Sequence, residues 1–96
     1  MEIRSFLDKR LERLYSKNDR KGFSPEVIDK LRKMLDFLEA MQDPEELRSL
    51  PTWKAHRLTG NRKGSWALHV TRNWRLTFRI DTQEQAIKDM DYEDYH

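Results

Sequence analysis

The hydrophobic period of this chain changes once, at Pro51, and that change dictates its architecture. Before Pro51 apolar residues recur at helical spacing; after it they alternate, as in strands. Leu7, Leu11, Leu14 and Tyr15 predict a helix that follows a short strand at Ile3 and ends near Asp19. A second helix starts with Ser24 as N-cap and Pro25 at the first helical position. Its apolar stripe is Val27, Ile28, Leu31, Met34, Leu35, Leu38 and Met41, wide enough to cover a sheet. Asp43-Pro44-Glu45-Glu46 repeats the start signal, with Glu46 spaced to close a capping box on a helical turn carrying Leu47 and Leu50.

Past Pro51, a strand is expected over Lys54–Leu58, then the loop Gly60–Gly64. Trp66, Leu68 and Val70 share one face, with Ala67 and His69 on the other. The turn Thr71-Arg72-Asn73 joins them as a hairpin to Trp74, Leu76, Phe78 and Ile80. A weaker strand over Ala86–Tyr92 follows the loop 81–85. The expected fold is α+β: two N-terminal helices packed on one face of a small, mainly antiparallel, twisted sheet, in one domain spanning residues 1–96. Since the helices need the Trp74/Leu76/Phe78/Ile80 face, Arg75, Thr77 and Arg79 must look away, onto an open face.

Charge is distributed unevenly. Residues 1–50 balance, with 11 basic and 11 acidic side chains. Residues 51–80 carry Lys54, Arg57, Arg62, Lys63, Arg72, Arg75 and Arg79 against no acid, a charge of +7, whereas the chain totals +2. Such a field suits a polyanion, and RNA above all; the arginines of the open face, Arg75 and Arg79, have no acid within the run to pair them. The histidines are His56, His69 and His96, the last beside Asp94 and Tyr95. An imidazole can move protons near neutral pH. His69 falls on the open face but is a weaker candidate than the other two. No His/Cys/Asp grouping has metal-ligand spacing, and no phosphate loop, dinucleotide fingerprint or Ser-His-Asp order is present, so neither metal nor cofactor is expected. With no cysteine, disulfides and thiol chemistry are excluded. No apolar run nears the roughly 20 residues of a membrane span, nor does the N-terminus carry a signal core, so a cytoplasmic protein without a membrane partner is expected.

The run Trp53-Lys54-Ala55-His56-Arg57-Leu58-Thr59-Gly60-Asn61-Arg62-Lys63-Gly64, then Trp66 and Asn73-Trp74-Arg75-Leu76-Thr77-Phe78, resembles the HigB-type toxins of the RelE/ParE superfamily. Tyr92-Glu93-Asp94-Tyr95-His96 matches the same toxins. The resemblance is closest from His56 onward and looser over the helices. It implies a RelE/ParE-like fold and a ribosome-dependent endoribonuclease that cuts mRNA in the A site. It also implies a helix-turn-helix antitoxin (HigA-like), through which the toxin reaches operator DNA only indirectly. Carried over by position, the catalytic residues are His56, Arg75, Asp94, Tyr95 and His96, with Lys54, Arg57, Arg62, Lys63, Arg72 and Arg79 gripping RNA or ribosome. Arg75 would stabilise the phosphorane. His56 and His96 would serve as base and acid in either order, Asp94 would orient or charge one of them, and Tyr95 would stack on a base or bond the ribose. Thr59 departs from the family, whose members often carry a lysine there. Two other readings are a ParE-like gyrase inhibitor and a non-catalytic RNA-binding module.

Overall fold

The computed structural model describes residues 1–95. A five-stranded sheet runs in the order β1 (Glu2–Ile3), β5 (Ala86–Asp94), β4 (Trp74–Asp81), β3 (Ser65–His69), β2 (His56–Arg57). Every neighbouring pair is antiparallel except β1–β5. Two helices, α1 (Lys9–Lys17) and α2 (Pro25–Ala40), accompany it, so the expected α+β arrangement is present.

The helix starts follow from their caps. Asp8 accepts hydrogen bonds from the amides of Arg10 and Leu11, and Ser24 accepts from that of Val27 ahead of Pro25. Asn18, in the left-handed region, ends α1. The α2 stripe is buried from Ile28 to Met41, with Leu31, Met34 and Leu38 sealed against Leu68, Leu76, Phe78, Ile87 and Met90. The capping box forms as its spacing indicates: Asp43 takes the Glu45 amide at 2.9 Å and Glu46 takes the Asp43 amide at 2.9 Å. The turn it starts, Pro44–Ser49, is a 3-10 helix. Leu7 departs from expectation. It precedes α1 and is 63% exposed, and Phe6 packs on Tyr15 in its stead.

The sheet differs from the sequence reading at its two ends. A second 3-10 turn, Pro51–Trp53, ends on Lys54 in the left-handed region, leaving β2 only His56–Arg57. At the other end β5 reaches Asp94 and lies between β1 and β4. It reads weakly in sequence because of a bulge. Thr77 pairs with Asp91 but Arg79 with Lys88, so Asp89 and Met90 both oppose Phe78. Asp89 takes φ 56°, and its amide donates to the Ser5 hydroxyl at 2.9 Å. The extra residue resets the alternation, bringing both Ile87 and Met90 into the core. Among the described residues no helix is long and apolar enough to cross a membrane.

Candidate active site on the open face of the sheet

Strand register decides which side chains share the face turned away from the helices. His69 pairs with Arg75, Arg75 with Glu93, and Thr77 with both Ala67 and Asp91. Directly opposed residues point to the same side, so His69, Arg75, Thr77 and Glu93 form one patch. His56, the register partner of Ala67, adds an imidazole from β2. Its ring stands edge-on to that of His69, with centroids 5.8 Å apart. Tyr95 returns to this face beyond β5; its amide donates to the Asn73 carbonyl at 2.6 Å, and the Arg75 guanidinium lies 5.5 Å from its ring centroid.

Each charged group is oriented by specific bonds. Arg75 donates through Nη1 to the carbonyls of Thr71 (3.0 Å), Arg72 (3.1 Å) and Trp74 (3.1 Å). The hairpin turn thus fixes the guanidinium, while Nε and Nη2 make none of these bonds. A fork so oriented suits two oxygens of a phosphate. His56 donates from Nδ1 to the Lys54 carbonyl at 3.0 Å. A carbonyl only accepts, so Nδ1 carries hydrogen and Nε2 is the nitrogen that exchanges a proton. Burial, and then the charges of Arg75, His56 and Lys54, hold the His69 imidazole below its ordinary range.

At the centre of the patch Glu93 receives both Arg62 amino groups, at 2.6 and 3.1 Å, and the hydroxyl of Thr77, the buried polar residue of the core. The Arg62 bond lowers its carboxyl below the ordinary value, outweighing burial, with Thr77 adding to the effect. Arg62 also approaches the Tyr95 hydroxyl at 3.5 Å. Glu93 and Thr77 carry no sequence signal of this role. His69 is legible in sequence as an open-face residue and a weaker candidate, and its closeness to both His56 and Arg75 emerges from strand register.

Three of the expected RNA-gripping cations are paired with acids outside the 51–80 run. Arg57 bonds Glu45 at 3.2 Å, Arg62 bonds Glu93, and Arg79 bonds Asp89 at 3.3 Å. The absence of acids within that run did not leave them unpaired, because sheet pairing and the Asp43 turn bring acids from elsewhere. Arg57 also turns to the opposite face. It is the partner of Trp66 and sits over that ring at 5.2 Å, beside a cavity that Lys63 also lines. Lys54 and Arg72 line a cavity of about 230 Å³ together with His69 and Lys30. Asp94 pairs with Trp74, whose ring stacks on Tyr92 at 4.6 Å, so the pleat directs it to the helix side, opposite Arg75. His96 lies outside the described residues. Among the described residues no three His, Cys, Asp or Glu side chains are grouped to hold a metal ion.

A family model described as RelE-like toxin of type II toxin-antitoxin system HigB matches residues 4–96. Over 94 residues the chain is 33% identical to Endoribonuclease HigB of Proteus vulgaris, covering 98% of this chain and 99% of that protein. Among solved structures, the YoeB/ParE toxin from Agrobacterium tumefaciens superposes with a TM-score of 0.62 at 15% identity, covering 100% of this chain and 99% of that one. The Escherichia coli DinJ-YafQ toxin-antitoxin complex matches with a TM-score of 0.61 at 15% identity, covering 98% of this chain and 93% of that one. These two share the fold. With nearly its full length matched in sequence, the chain belongs to the RelE-like HigB toxins of type II toxin–antitoxin systems.

Proposed function

We infer that this toxin is a single-domain, cytoplasmic endoribonuclease that cuts messenger RNA in the ribosomal A site without a metal ion. The observation that carries the reading is the convergence of His56, Arg75 and Tyr95 on one open, basic sheet face, with the Arg75 fork fixed by three carbonyls. The name of the Proteus vulgaris relative, Endoribonuclease HigB, supports the cleavage of RNA.

In this reading the 2′-oxygen attacks the adjacent phosphorus as one imidazole takes its proton. Arg75 balances the charge gathering on the phosphorane oxygens, and a second imidazole protonates the departing 5′-oxygen. His56 and His96 are the candidates that the resemblance offers for these roles, with Asp94 to orient or charge one of them, and Tyr95 supplies a stacking surface for a splayed base. The products are a 2′,3′-cyclic or 3′-phosphate and a 5′-hydroxyl. Ribosome dependence follows from the modest reactivity of these groups. A bound ribosome bends the message toward in-line geometry, which the isolated face cannot impose. Lys54, Lys63 and Arg72 contact ribosomal or messenger phosphates, and Arg57, Arg62 and Arg79 join them where RNA displaces their carboxylates. The partner that silences the toxin is an antitoxin, which the toxin–antitoxin family description and the DinJ-YafQ complex among related folds support; its helix-turn-helix fold rests on the sequence resemblance alone.

Mapping breaks in cells that express the toxin tests this directly. The expected result is cuts confined to translated messages, in register with codons, while chromosomal DNA stays intact. Breaks in DNA with intact messages would overturn the reading in favour of gyrase poisoning, and growth arrest with neither would favour RNA binding alone.

A further inference from the structure

We propose that His69 is a further catalytic residue of this toxin, the neutral imidazole that accepts the 2′-hydroxyl proton while His56 donates one to the departing 5′-oxygen. The inference rests on the nuclease reading above and assigns the proton acceptor within it. Its basis is position. His69 is the register partner of Arg75 and stands 5.8 Å from the His56 ring, so it lies between the expected phosphate anchor and the other described imidazole. It also lines the cavity of about 230 Å³ that opens beside the patch, among Lys30, Lys54 and Arg72. A phosphodiester held by Arg75 with its neighbouring nucleotide in that cavity would bring a ribose against His69.

The groups around His69 set its protonation. Arg75 faces it from β4, His56 and Lys54 from the β2 side, and Lys30 and Arg72 from the cavity. Lys30 is anchored from α2 by a 3.0 Å bond to the Val70 carbonyl. On β5, Glu93 is held by Arg62 and Thr77. Burial above all, and then the charges of Arg75, His56 and Lys54, hold the ring below its ordinary range and favour the neutral form that can accept a proton. An arriving phosphate reverses the local field and makes the ring a better base as substrate docks. His56 keeps its Nδ1 hydrogen on the Lys54 carbonyl in the imidazolium as well, which leaves Nε2–H to give. The step balances: His69 gains the 2′-hydroxyl proton, the 2′-oxygen–phosphorus bond forms, the phosphorus–5′-oxygen bond breaks, and His56 delivers a proton to the 5′-oxygen. Solvent then exchanges protons with both rings to restore the resting states.

The experiment is a single-turnover pH–rate profile on ribosomes programmed with a defined mRNA, for wild type and for His69→Gln and His56→Gln. A proton acceptor is worth about 10²–10⁴ in rate. His69→Gln should fall by that factor and lose the rise of rate with pH on the acidic side. His56→Gln should lose the fall on the alkaline side. Nuclear magnetic resonance titration of the histidine ring protons in the wild-type toxin adds a readout independent of cleavage, with His69 neutral at pH 7. A wild type that cuts while His69→Gln keeps its rate within threefold and its acidic limb overturns the proposal alone. So does a His69 that is protonated at pH 7 in the native protein. A wild type that leaves the message intact on the ribosome ends the nuclease reading, and this proposal with it.

Discussion

Replacing Thr77 with Val removes one hydroxyl from beneath the open-face patch and changes little else in shape. Thr77 is 1% exposed and donates to the Glu93 carboxylate, whose side chain is 26% exposed and also holds Arg62. A hydrogen bond to a charged group contributes about 1.5–3 kcal/mol. Against that, the incoming methyl gains about 0.8 kcal/mol from burial. The expected net loss is about 1–2 kcal/mol, and each kcal/mol lowers the melting temperature of a domain this size by about 4–8 °C. A double-mutant cycle with Glu93→Gln isolates the pair, because loss of the Arg62 ion pair occurs in both arms and cancels. The coupling should be about 1 kcal/mol at pH 7. The folded Glu93 carboxyl titrates below its ordinary 4.5. Its contribution is therefore complete above about pH 4.5 and is lost as pH falls through the lower folded value. The melting gap between wild type and Thr77→Val should close over that same acidic range. Additive melting shifts in the cycle, with a gap unchanged at low pH, would refute the view that Thr77 and Glu93 act as a unit.

Asp8→Ala removes the α1 cap and the 2.8 Å ion pair with Arg10, and should cost about 1–2 kcal/mol by chemical denaturation. Gly22 sits at φ 92°, and an added Cβ would lie 2.6 Å from Cδ of Arg10, so Gly22→Ala should destabilise by about 1–2 kcal/mol in the same assay. Arg75→Lys keeps the charge but loses the fork, and should slow message cleavage by about 10²–10³ with an unchanged message footprint on the ribosome.

How much of this could be read from the chain depends on where the information lies. Helix caps, the α2 stripe and the β3–β4 hairpin are local in sequence, and Ser24-Pro25, Asp43-Pro44-Glu45-Glu46 and the alternation around Trp74 mark them plainly. Leu7 misleads because helical spacing continues across Asp8, whose side chain starts the helix after it. The end of β5 is hidden by the Asp89 bulge, which breaks the alternation that marks a strand. The site is legible in part. Open-face Arg75 follows from alternation alone, but the partners of Arg57, Arg62 and Arg79 are set by contacts of 12, 31 and 10 residues' separation. No local rule supplies those. The meeting of His56 with His69 likewise depends on which β3 residue opposes β2, a register fixed only when the sheet closes.

The most direct test of the account is cleavage of a defined mRNA by the purified toxin, with and without ribosomes programmed by it, followed by analysis of the new ends. The account predicts cuts within A-site codons only when ribosomes are present, undiminished by a metal chelator once the ribosomes are stably assembled, with a 2′,3′-cyclic or 3′-phosphate on one side and a 5′-hydroxyl on the other. Intact message in both conditions, or a 5′-phosphate at the cut, would contradict it.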